Sequence, residues 1–176
     1  MPPPLQSGSS LRQTLWVIQY AEAATDLAHA LRAFNPRIEH VGSTAVPGLA
    51  AKPVIDILVG MEKLHEGAVY ADAMAGLNYH YRPEFEFEIP ERRYFRRLNP
   101  DGGHTHHIHM TRFGDTFWRR HIAFRDTLRA HPETAQEYAD LKARLAQQYP
   151  HAGRAYTDAK TDFIRGVEAL ALKDVR

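Results

Sequence analysis

One acid inside an apolar run constrains this chain more than any other feature. Val54-Ile55-Asp56-Ile57-Leu58-Val59 has the length and β-branched content of a buried strand, yet carries Asp56 at its centre. A carboxylate there is costly unless it is paired or holds a cation. Upstream, Arg37-Ile38-Glu39-His40-Val41 reads as a strand that runs into Gly42-Ser43-Thr44. Pro47-Gly48 marks a turn, and Lys52 precedes a proline and is held extended. Gly42 lets an anion approach the backbone closely, and N–H groups at a loop or helix start can cradle it. This order suggests a phosphate beside a cation.

The rest of the chain limits what can surround that segment. At 176 residues it can form one domain with a sizeable core. We expect a disordered lead-in over 1–8, rich in proline and small residues, and a single domain over 9–176. Lysine and arginine number 22 against 21 acids, so charge gives no argument for nucleic acid or an anionic membrane surface as partner. No apolar run approaches the ~20 residues of a membrane span. The N-terminus lacks a basic-then-apolar signal pattern. There is no cysteine, which removes disulfides and thiolate metal sites and suits a cytoplasmic location.

Periodicity predicts a helix from Ser9 or Ser10 to about Phe34, with Tyr20, Ala24, Leu27, Leu31 and Phe34 on its apolar face, and a short helix over 66–77. Segments 79–87 and 92–97 read as strands. Through and just past the first, Arg82, Glu84, Glu86 and Glu88 alternate with Tyr81, Phe85, Phe87 and Ile89 in the manner of a half-exposed face. A strand over 105–111 follows Gly102-Gly103. The remainder reads as helical, with Phe117, His121, Phe124 and Leu128 on one face, Pro132 in the first turn of the next helix, and Phe163, Val167 and Leu170 packing the last. Gly166 in that helix suggests a close contact. The expectation is α/β (α+β): a mixed sheet of about five strands with helices on one face and a helical C-terminal half.

Gly-Ser ahead of a strand-borne acid resembles the nucleotidyltransferase-like superfamily. The run His40-Val41-Gly42-Ser43-Thr44-Ala45-Val46-Pro47-Gly48-Leu49-Ala50-Ala51-Lys52-Pro53-Val54-Ile55-Asp56-Ile57-Leu58-Val59 resembles the signature of its GrpB branch more closely. So do Thr105-His106-His107-Ile108-His109, the stretch from Trp118 to Pro132, and Ala159-Lys160-Thr161-Asp162-Phe163-Ile164. The resemblance covers roughly residues 36–170. It implies a nucleotidyltransferase-like fold. Because the GrpB domain also occurs fused behind dephospho-coenzyme A kinase, it also implies a link to coenzyme A or adenylate ligands. The superfamily's second carboxylate would fall two residues after Asp56, about 6.5 Å along the same strand face. Here that position is Leu58, which cannot ligate, so two-metal, polymerase-like transfer is not expected.

Candidate chemistry then gathers on few residues. Alternation places His107 and His109 on one strand face and His106 with Ile108 on the other. With Asp56 on a nearby strand, His107 and His109 would form a facial site for a divalent metal (magnesium, manganese or zinc), or act as acid/base groups. Gly42, Ser43, Thr44, Lys52, Arg92 and Arg93 are candidate phosphate ligands, and alternation sends only one of the two arginines into the site. Arg119, Arg120, His121 and Arg125 read as a solvated basic stretch with a core histidine. Glu84, Glu86, Glu88 and Glu91 read as an exposed face. The expected function is metal-dependent, nucleotidyltransferase-like chemistry on a nucleotide or small phosphorylated metabolite. The alternatives are a non-catalytic nucleotide-binding module and a protein-interaction domain.

Overall fold

The computed structural model describes Leu5, residues 9–149 and residues 153–173. The lead-in expected over 1–8 lies, apart from Leu5, outside the described residues. The first helix, α1 (Ser10–Ala30), buries Trp16, Ala23 and Leu27, and Leu31 follows directly after it. Tyr20 and Phe34 pack at the margin of this stripe. The helix stops short of Phe34 because the chain tightens into a 3-10 turn and Asn35 adopts φ 46°, a left-handed conformation that ends helical pairing.

Five strands follow: β1 (Arg37–Val41), β2 (Ile55–Met61), β3 (His80–Tyr81), β4 (Arg92–Leu98) and β5 (His104–Arg112). Their order in the sheet is β1-β2-β5-β4-β3. β2 and β5 are parallel, and the other pairs are antiparallel. The parallel pair sets Asp56 opposite His107 and Leu58 opposite His109.

Helices cover both faces of the sheet, not one. Ile55, Ile57 and Val59 meet α1 and α2 (Ala68–Ala75) in the main core. On the opposite face Leu58, fully buried, packs with Val41 and with Phe117 and Trp118 of α3 (Thr116–Ala130). A central strand buried on two sides needs apolar residues at successive positions, which explains the nearly unbroken run around Asp56. Asp115 caps α3 by accepting the Trp118 N–H at 2.7 Å. The chain ends in α4 (Pro132–Gln148), α5 (Gly153–Asp158) and α6 (Thr161–Lys173).

Several expectations need correction. Residues 79–87 do not form one strand: β3 has two residues and Pro83–Phe85 is a 3-10 turn. Glu86 turns inward there, accepting from the Tyr81 hydroxyl at 2.6 Å and pairing with Arg93 at 3.2 Å. Gly166 faces open space and Leu170 is 66% exposed, so α6 packs through Val167 and Phe163 instead. Arg125 is buried rather than solvated: it pairs with Glu39 and Asp126 and donates to the His40 carbonyl, clamping α3 to the end of β1. Among the described residues no helix is long and apolar enough to cross a membrane.

Candidate active site

α3 covers the sheet over β1 and β2, leaving the same face of β5 and β4 as the floor of a cleft of about 380 Å³. Asp56, Tyr94, His107, His109 and Arg92 line that floor, and Ser43, Thr44 and Lys52 line one wall. Lys142 from α4, Tyr156 and Thr157 from α5, and Lys160 close it from above. A broader depression of about 670 Å³ lies at the far end of β2 beside Glu62, Lys63 and Arg112, with no comparable convergence of groups.

Asp56 and the two histidines meet as a set. Asp56 Oδ1 lies 3.1 Å from His107 Nδ1 and 3.7 Å from His109 Nε2. One ligand atom from each of the three residues falls within 4.8 Å of the others. Burial pushes the Asp56 carboxyl up, but hydrogen bonds and charge from His107 and His109 outweigh it and hold the group well below the usual carboxylate range. Burial pushes His109 below the usual imidazole value, against the pull of Asp56. An anionic oxygen with two imidazole nitrogens is a donor set that fits a divalent first-row ion.

Arginines fix the proton positions around this set, because a guanidinium only donates. Arg96 Nη1 lies 3.1 Å from His104 Nε2, which therefore accepts, and His104 Nδ1–H donates at 3.0 Å to His107 Nε2. His107 is left with its proton on Nδ1, aimed at Asp56. Arg92 Nη1 lies 3.4 Å from His109 Nδ1 and leaves the His109 proton on Nε2. His106 is on the opposite face, as parity predicts, against Arg97 and Tyr79. His121 stacks on Phe117 at 4.1 Å and donates to its carbonyl, a satisfied core histidine.

The phosphate candidates separate. Gly42 serves Asp56 directly: at φ 71°, ψ −171° it occupies a conformation almost exclusive to glycine, and a Cβ there would stand 2.5 Å from Asp56 Oδ2. The Thr44 side chain is committed internally, facing His40 Nε2 at 3.0 Å and donating to the Val54 carbonyl at 3.3 Å. Ser43 Oγ accepts from Lys142 Nζ at 2.9 Å. Lys52 Nζ lies 4.2 Å from the centre of the Tyr156 ring. Of the two arginines, Arg92 reaches the cleft, whereas Arg93 points to the other face and donates to the carbonyls of His65 and Pro90.

Lys142, Tyr156, Tyr94 and the His104–Arg96 pair were not singled out from sequence, and Lys160 stood out only as part of the family-like ending, with no role beyond a helix start near the cleft. Lys142 did leave a trace, since it stands between Tyr138 and Leu145 on the buried stripe of α4. A lysine on an apolar helical stripe needs a reason to be there.

Comparisons with known proteins agree with this architecture. The family model described as GrpB protein matches residues 12–169. The chain is 41% identical over 143 residues to the UPF0157 protein YqkA of Bacillus subtilis, covering 78% of this chain and 40% of that protein. It is 38% identical over 165 residues to a UPF0157 protein of Pseudomonas aeruginosa, covering 92% and 66%. It therefore spans less than two thirds of the length of these two relatives. The crystal structure of conserved protein GrpB from Enterococcus faecalis superposes with a TM-score of 0.84 at 36% identity, covering 98% of this chain and 99% of that one. With the family model spanning nearly all the described residues and a solved GrpB protein sharing the whole fold, the chain belongs to the GrpB family.

Proposed function

We propose that this protein is a metal-dependent enzyme of nucleotidyltransferase type that acts on a nucleotide or another small phosphorylated metabolite. One observation carries the reading: Asp56, His107 and His109 converge in the same cleft as Ser43, Lys52, Arg92, Lys142 and Lys160. Asp56, His107 and His109 would hold the divalent ion, which would supply charge neutralisation at a phosphoryl oxygen. His109 can offer Nε2 to an ion only with its proton on Nδ1. Arg92 then loses its acceptor and turns its fork to the ligand's phosphate. The Arg96–His104 relay donates to His107 Nε2, so His107 can offer Nδ1 to an ion only once that relay turns over and Arg96 loses its acceptor. The Tyr94 ring packs against His109, 5.2 Å between ring centres, and holds that ring at the floor.

The buried Leu58 favours a second reading, a binding module that lacks turnover, because no second acid stands beside Asp56 on its strand. Incubation with labelled nucleoside triphosphates decides between them, with small phosphorylated acceptors, dephospho-coenzyme A and polynucleotides in parallel, with and without divalent metal. Metal-dependent labelling of a small acceptor is expected. Efficient labelling of RNA or DNA overturns the small-molecule assignment. Tight nucleotide binding with no transfer to anything establishes the binding module.

A further inference from the structure

The cleft holds more positive charge than its residues balance. Lys52, Lys142, Lys160 and Arg92 line it, and Asp56 is the lone carboxylate among its described lining residues. Asp56 is already engaged by His107 and His109. Among the described residues none of the three lysines forms an ion pair with an acid. Lys142 is 3% exposed, with its ammonium on two neutral oxygens, Ser43 Oγ at 2.9 Å and the Ala50 carbonyl at 2.5 Å. Lys52 and Lys160 sit against the Tyr156 ring, 4.2 and 4.5 Å from its centre. Such contacts moderate a buried cation without neutralising it.

We propose that Lys52, Lys142 and Lys160, with the Ser43 hydroxyl, form an anion subsite for a condensed phosphate, meaning two or more linked phosphoryl groups. These groups would belong to a ligand whose reacting end lies at Asp56, His107 and His109. The inference rests on the functional reading above and adds the ligand's chemical class. A single orthophosphate, at most a dianion near neutral pH, leaves uncompensated charge on three lysines and an arginine, whereas a diphosphate or triphosphate matches it. Burial pushes Lys142 down to about 7 and Lys160 down to about 8; Lys160 adds repulsion at Lys142, while Asp56 pulls Lys160 back more than Lys52 repels it, and an anion set against the two ammonium groups offsets the cost of burying them. Ser43 Oγ accepts from Lys142 and is also hydrogen-bonded to the Tyr138 hydroxyl, so it donates to a phosphoryl oxygen by turning away from Tyr138. At about 380 Å³ the cleft has room for a small polyanion.

Calorimetry on the full chain tests this, in chelator so that no metal contributes, with orthophosphate, pyrophosphate and tripolyphosphate as probes. Pyrophosphate and tripolyphosphate should bind at least tenfold more tightly than orthophosphate. Lys142→Met and Lys160→Met should each lose about tenfold, while Lys160→Arg, which keeps the charge, should lose less than threefold. Asp56→Asn in chelator should bind pyrophosphate as well as the unaltered chain or better. Equal affinity for orthophosphate and pyrophosphate overturns the subsite, as does unchanged pyrophosphate binding in a folded Lys160→Met variant. Should metal-dependent transfer fail while pyrophosphate still binds in chelator, the subsite stands and the catalytic reading falls.

Discussion

Position 42 shows how tightly single residues are set around Asp56. A methyl group there meets two obstacles, the carboxylate 2.5 Å away and a backbone conformation that side chains avoid. Gly42→Ala should therefore destabilise the fold by about 2–4 kcal/mol, combining backbone strain with a displaced carboxylate. Denaturant unfolding checks this, and a cost under ~1 kcal/mol would mean that the loop relaxes freely. Asp56→Asn is the milder change, since it preserves shape and removes charge. The carboxyl is held low by its histidines, so its stabilising effect is present above the ordinary carboxylate range and fades as pH falls through and below it. The Asn variant should fold, lose a few degrees in Tm at pH 7, and bind a divalent ion at least tenfold more weakly by calorimetry. A rise in Tm would show instead that burial of the anion outweighs its hydrogen bonds.

Among the elements, β2 and β5 were the most legible. Alternation in Thr105-His106-His107-Ile108-His109 assigned the correct ring to each face, and the apolar run around Asp56 marked a strand covered on both sides. The stretch 79–87 misled for a physical reason. Its polar–aromatic alternation imitates a strand, yet Pro83 starts a 3-10 turn and Arg93 and Tyr81 draw Glu86 inward. The lysines of α4 and of the α5–α6 turn were harder to read, because their place over the sheet depends on how late helices pack and not on a local pattern. β2 also carries a prediction of its own. Leu58 is enclosed by Val41, Phe117 and Trp118, so Leu58→Asp puts an unpaired charge in an apolar cluster and should cost roughly 3–5 kcal/mol. It should not create a second metal site. A melting curve together with metal titration checks both outcomes, and a stable variant binding two ions would refute them.

For the whole molecule, Lys142 couples stability to pH. Its ordinary value near 10.5 applies in the unfolded chain, whereas burial and Lys160 lower it to about 7 in the folded one. Between those values the unfolded chain holds a proton that the folded chain lacks, so stability falls as pH drops from about 10 to 7 and levels off below. Lys142→Met removes that dependence. It should stabilise the ligand-free protein by roughly 1–3 kcal/mol at pH 7, with the gain shrinking towards pH 10. Urea unfolding at pH 7 and pH 9.5 measures the difference, and a gain that does not vary with pH would locate the effect in packing.

The cleft also draws its two sides from distant parts of the chain: the floor from β2, β4 and β5, the cover from α4, α5 and the turn after it. During synthesis the floor emerges before α4 and α5, which cover it. A nascent chain halted after β5 has its carboxylate and histidines but none of the helical lysines. A ligand that needs both sides can hold only a chain in which α4, α5 and the turn after it have packed over the sheet, and its binding stabilises that state without rescuing partly folded ones.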